Sequence, residues 1–182
     1  MMDNHDGSAH SASVQRSERR LDECPVIGWR EYVDAPEWGV LGILAKIDTG
    51  ARTSAIDVAG IEEIGRERVR FHVMLSRNHR HRRVAIEAKI RRRTRVRSSL
   101  GHVESRLIVA TQVRIGPVSK KVELGLVCRK SMRCRVLLGR TALAKDFLVD
   151  AGRAYLLGRK HAAKSGSKRR MSSIAVKKGG RG

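Results

Sequence analysis

Apolar and polar positions alternate in short runs along most of this chain, and the runs are separated by residues that favour turns. Residues 26–33, 38–47, 54–58, 69–75, 84–90, 103–115 and 122–127 each carry the period-two pattern of a half-buried strand. Asp34, Ala35, Pro36 and Glu37 mark a turn between the first two. Two apolar runs close the series, 135–138 and 147–150, with a short helix predicted over 141–147. Many short strands, Gly-bearing turns and one brief helix near the C-terminal end predict a mainly β domain built as a closed barrel.

Outside those runs the rhythm is lost. Residues 1–22 are Ser, His, Asp and Arg without apolar spacing, which predicts a disordered polar tail. Residues 159–182 are Gly, Ser, Lys and Arg with no acid, a second disordered and strongly basic tail. The ordered domain is expected at 23–158. Val, Ile and Leu must fill its core, because aromatic residues are only 3% of the 182 residues.

Composition narrows the setting. No apolar run reaches the length of a membrane span, and no apolar stretch of a secretory leader stands in the first twenty residues. The three cysteines, Cys24, Cys128 and Cys134, form no Cys-x-x-Cys pair, so a reduced cytoplasmic protein is expected. The formal net charge of +21 calls for an anionic partner: nucleic acid, the ribosome or an acidic polypeptide. The charge concentrates between Arg66 and Arg97, densest at Arg91-Arg92-Arg93, and in the C-terminal tail. Scarce aromatics argue against base stacking on single strands.

The chemistry concentrates in one stretch, Ile47-Asp48-Thr49-Gly50-Ala51-Arg52-Thr53-Ser54. A strand delivers the Asp48 carboxylate to a sharp turn, where it can polarise a water. Thr49 can tie the loop through its hydroxyl, and Gly50 permits a bend that a Cβ would obstruct. Taken alone, Asp-Thr-Gly is also ordinary turn chemistry. Some 90 residues on, roughly the span of one compact lobe, a second motif reads Leu137-Leu138-Gly139-Arg140.

The two motifs in this order resemble the retropepsin-like aspartic proteases. With Ile27-Gly28-Trp29-Arg30-Glu31, Thr141-Ala142-Leu143 and the segment 98–106, the resemblance over residues 25–158 is to a bacterial family labelled "ATP-dependent zinc protease". That family includes the protease-like partner of the RimK glutamate ligase. It implies a retropepsin-like barrel and a peptidase role and, for some members, action on glutamate-rich tails added to a ribosomal protein. Asp48, Thr49 and Gly50 are then the catalytic positions, supported by Ala51, Thr53, Leu138, Gly139 and Arg140. The ATP and zinc of the label find no phosphate loop and no His-Glu-x-x-His pair in these residues. His79 and His81 lie among arginines, and Cys128 with Cys134 falls short of the four ligands of a closed zinc site. No cofactor and no metal are expected.

An aspartic peptidase needs two carboxyl groups sharing one proton. A single Asp-Thr-Gly therefore predicts a homodimer in which Asp48 of each subunit faces the other. Ala51 offers no hydroxyl to the carboxylate, which favours titration of the dyad nearer neutrality. Arg52 stands where viral retropepsins carry an Asp, so it meets an acidic substrate or pairs with Asp57 or Glu31. Ser54 is a further substrate contact, and the turn 98–102, with Gly101 and His102, is a covering flap or a plain hairpin turn. Two other readings stand beside the peptidase: a silent basic module of the same fold docking on ribosome or RNA, and a zinc-dependent hydrolase.

Overall fold

A computed structural model describes residues 23–97, 103–128 and 133–158. Its strands are β1 (Val26–Gly28), β2 (Arg30–Ala35), β3 (Val40–Ile47), β4 (Ser54–Ile64), β5 (Arg68–Met74) and β6 (Arg83–Lys89). They continue as β7 (Arg92–Arg97), β8 (Val103–Ile115), β9 (Val118–Val127), β10 (Val136–Leu138) and β11 (Leu148–Asp150), with helix α1 at Arg140–Leu143.

Six strands close a barrel in the order β10, β3, β2, β8, β9, β4 and back to β10. This is the mainly β, retropepsin-like architecture expected, with one short α-helix among the described residues, near the C-terminal end of the domain. The closure depends on β10, which lies parallel to β3 through Val136↔Ala45 and Leu138↔Ile47 and antiparallel to β4 through Val136↔Ile56. Strand β10 thus threads between the two strands that flank the Asp48 loop. Strands β5 and β6 extend from the far half of β4, and β7 pairs with the first half of β8.

The core is aliphatic, as composition demands. Ile27, Val58, Phe71, Val109, Ile115 and Leu138 are fully buried, each stabilising the fold by about 1.5–3 kcal/mol. Trp38 meets Phe71 edge to face at 5.7 Å between ring centroids.

Several expected elements shift for local reasons. The first strand breaks at Trp29, whose N–H donates to the Arg153 carbonyl at 2.9 Å. A Cβ on Gly28 would lie 2.5 Å from that same carbonyl oxygen, so only glycine passes here. Residues 36–38 form a 3-10 turn ended by Gly39 at φ +64, which delays β3 to Val40. The helix predicted over 141–147 stops at Leu143, because Ala144 turns extended and Lys145 takes φ +74. Strands β4 and β9 are longer than their apolar runs.

The Arg-rich segment is largely strand. Its charges are matched across the sheet: Arg68 to Glu87 at 2.7 Å, Lys89 to Glu67 at 3.1 Å and Arg92 to Glu123 at 2.9 Å. Arg70 reaches both Glu62 and Glu87, and Arg93 pairs with Glu63. Two arginines of the densest run, Arg92 and Arg93, therefore already have carboxylate partners. Among the described residues no helix is long and apolar enough to cross a membrane.

Candidate active site

Strand β3 ends at Ile47, and the chain turns at once. The Asp48 carboxylate folds over the turn, its Oδ1 accepting the N–H groups of Gly50 and Ala51 at 3.1 Å each. Its own N–H donates to the Leu138 carbonyl at 2.9 Å, fastening the loop to β10. Oδ2 lies 3.6 Å from the Lys46 ammonium, and the Asp48 side chain keeps 26% of its surface exposed, enough to meet a water. Lys46 and Asp48 are two residues apart, on one face of the strand end.

Thr49 and Gly50 are exposed at the tip. The Thr49 hydroxyl makes no hydrogen bond among the described residues; its carbonyl does the fastening instead. Arg140 Nη1 donates to the Thr49 and Gly50 carbonyls at 2.9 Å each. Arg140 thus holds the loop from the start of α1. Gly50 does not adopt a positive φ; a Cβ there would sit 3.3 Å from Asp48 Oδ1 and crowd the carboxylate.

Gly139 is fixed by packing. A Cβ on it would lie 2.6 Å from the Thr53 carbonyl oxygen and 2.9 Å from that of Ala51. Its N–H donates at 3.1 Å to Ser54 Oγ, which is buried. Arg140 and Thr141 donate their N–H groups to the carbonyls of Ala51 and Arg52, at 2.8 and 3.1 Å. The predicted support residues Ala51, Thr53, Leu138, Gly139 and Arg140 are therefore brought together around one loop.

Beside the loop opens a cavity of about 700 Å³. Arg52, Thr53, Ser54 and Thr141 form one wall, and Arg92, Thr94, Ile108, Lys121, Val122 and Glu123 the others. Arg52 is exposed and has no acidic partner among the described residues. The two carboxylates weighed for it are engaged elsewhere. Asp57 pairs with Arg135 and stands 3.6 Å from Arg80, and Glu31 accepts the N–H groups of Gly28 and Leu156 at 2.7 and 2.8 Å. Arg92 and Lys121 join this site only through the fold, since neither carries a sequence motif. The Lys46 approach was readable in principle from its i, i+2 spacing to Asp48.

Gly101 and His102 lie outside the described residues, so the flap expectation does not bear on this geometry. Among the described residues no group of three or more His, Cys, Asp or Glu side chains could hold a metal ion. Cys128 is exposed whereas Cys134 is buried, and His79 stacks edge to face on His81. These donors do not fit a zinc site.

The model of a family described as "RimB-like: Retropepsin-like aspartic endopeptidase RimB" matches residues 26–160. Similar curated proteins are named probable alpha-L-glutamate ligase. One from Shewanella halifaxensis is 36% identical over 139 residues, covering 75% of this chain and 30% of its own. Another from Shewanella pealeana is 37% identical over 138 residues, covering 74% and 30%. This chain therefore spans less than a third of the length of those relatives. The crystal structure of protein Lpg0085 of unknown function from Legionella pneumophila shares the fold. It has a TM-score of 0.61 at 20% identity, covering 73% of this chain and 98% of that one.

Proposed function

Because this chain belongs to the RimB-like family of retropepsin-like aspartic endopeptidases, we propose that it hydrolyses peptide bonds of acidic, glutamate-rich chains through an Asp48 dyad formed across a homodimer. The observation that carries the reading is the Asp48 loop itself. A partly exposed carboxylate is held by two backbone N–H groups, and its loop is clamped by Arg140 and β10. One carboxylate is half of the required pair, and its exposed tip is free to meet a second copy.

In the reaction, one Asp48 takes a proton from water as its oxygen attacks the scissile carbonyl carbon. The other, protonated, gives its proton to the carbonyl oxygen. Collapse of the tetrahedral species breaks the C–N bond and passes a proton to the leaving amine. The preference for acidic chains rests on Arg52, which is exposed without a carboxylate, and on Lys121 in the same cavity. The name of the relatives, probable alpha-L-glutamate ligase, supports it by pointing to glutamate chemistry in proteins that carry a region like this one. The partners are thus a second subunit and a polyglutamate-modified protein.

The test compares wild type with Asp48→Asn on a poly-glutamate peptide and a neutral peptide of equal length. Cleavage of the acidic peptide by wild type alone is expected. Equal cleavage by both variants, or an active preparation that sediments only as monomer, would overturn the mechanism.

A further inference from the structure

The tip of the β5–β6 hairpin, residues 75–83, differs from the rest of the Arg-rich segment. The sequence holds no Asp or Glu between Glu67 and Glu87. On the strands this is offset by carboxylates from neighbours, and Arg68, Arg70 and Lys89 all find one. At the tip it is not offset. Arg77, Arg82 and Arg83 are exposed, and none has an acidic partner among the described residues.

The tip is nevertheless a built structure. Leu75 N–H donates to the Arg82 carbonyl at 3.0 Å, Arg82 N–H to the His79 carbonyl at 2.9 Å, and His79 N–H to Ser76 Oγ at 3.2 Å. Arg80 alone turns inward, its Nη1 3.6 Å from the Asp57 carboxylate, which is 1% exposed and also pairs with buried Arg135. The outward guanidiniums are thus presented from a hairpin anchored on the barrel.

We propose that this tip is a nucleic-acid-binding element that grips the phosphate backbone of a duplex. Guanidinium groups without internal partners suit phosphate oxygens, which accept two parallel N–H donors. The segment 75–83 contains no Phe, Tyr or Trp, and its two imidazoles, His79 and His81, are set edge to face on each other, so it offers little platform for stacking on unpaired bases and reads backbone rather than sequence. A compact acidic protein surface would place fewer anions across so short a tip than a duplex does. The binding site is separate from the Asp48 loop and does not depend on the peptidase reading.

The experiment measures binding of full-length protein to a short labelled RNA duplex of arbitrary sequence, by fluorescence anisotropy at several salt concentrations. A DNA duplex and a poly-glutamate peptide serve as further arms. The triple variant Arg77→Ser/Arg82→Ser/Arg83→Ser should bind the duplex more weakly, with a salt slope shallower by about 2–3 units. Arg77→Lys/Arg82→Lys/Arg83→Lys keeps the charge and should keep the slope, which guards against a folding artefact. Asp48→Asn should bind the duplex as wild type does. A slope unchanged in the serine variant overturns the proposal. So does a loss confined to the peptide arm, which would make the tip's partner an acidic polypeptide. Preference for either duplex, or equal binding to both, supports backbone recognition, and a preference identifies the source.

Discussion

Arg135 and Asp57 meet as an ion pair almost entirely removed from water, their side chains 2% and 1% exposed. Arg135 lies just before β10 and Asp57 on β4, so the pair ties the threaded strand to the wall of the barrel. The Asp57 N–H also donates to the Arg135 carbonyl at 2.7 Å. Removing one partner leaves the other charge buried. Asp57→Asn is expected to destabilise the fold by about 3–5 kcal/mol, read by urea denaturation. The double change Asp57→Leu/Arg135→Met should cost less than either single change.

Gly139 has no room for a side chain. Gly139→Ala drives a methyl into the carbonyls of Thr53 and Ala51. Backbone cannot yield as a flexible side chain does, so a loss of about 1–3 kcal/mol is expected. Thermal unfolding gives the stability, and peptide hydrolysis should fall with it as the loop moves.

Arg140 offers a milder change. Arg140→Leu removes two hydrogen bonds to the Thr49 and Gly50 carbonyls while leaving the β10 register in place. At this exposed site stability should fall by only about 1 kcal/mol. Turnover on the acidic peptide should fall much more than KM rises, because the loop that orients Asp48 is loosened. Equal changes in both would mean that Arg140 acts in substrate binding.

Acid should loosen the β8 contact with the 3-10 turn. The Gln112 N–H, then the Thr111 hydroxyl, hold the Glu37 carboxyl below its ordinary range. A depressed carboxylate contributes stability above its unfolded pKa and loses it as pH falls through the folded value. Asp150 behaves alike, lowered first by its bond to Arg153. Glu37→Gln should lower Tm near neutrality, where the carboxylate contributes, and flatten its further fall with acid.

The thiols should separate by burial. Burial pushes the Cys134 thiol up against the pull of Arg30 and Arg135, which keeps it protonated and inert. Cys128 is exposed. A thiol reagent should modify Cys128 in the native protein and reach Cys134 only on unfolding, as peptide mass mapping would show.

What was readable beforehand follows from how local each feature is. Ile47-Asp48-Thr49-Gly50 and Leu137-Leu138-Gly139-Arg140 are apolar runs ending in turn residues, so both could be read as strand ends and both are. Strand β7 was not readable, because Arg92, Arg93 and Arg95 show no apolar alternation. It forms through pairing with β8, with Glu123 and Glu63 accepting its charge across the sheet. The helix end was misplaced because Lys145 adopts a backbone conformation its residue type rarely takes. The cavity is likewise tertiary: Lys121 becomes its neighbour to Arg52 only when β9 closes against β4.

The clamp between Arg140 and Thr49 joins positions 91 residues apart. A ribosome making this chain emits the Asp48 loop long before the strand that braces it. Until the last third has emerged the nascent protein carries Asp48 on a slack tether, so the proposed hydrolysis would begin only as a final act of maturation.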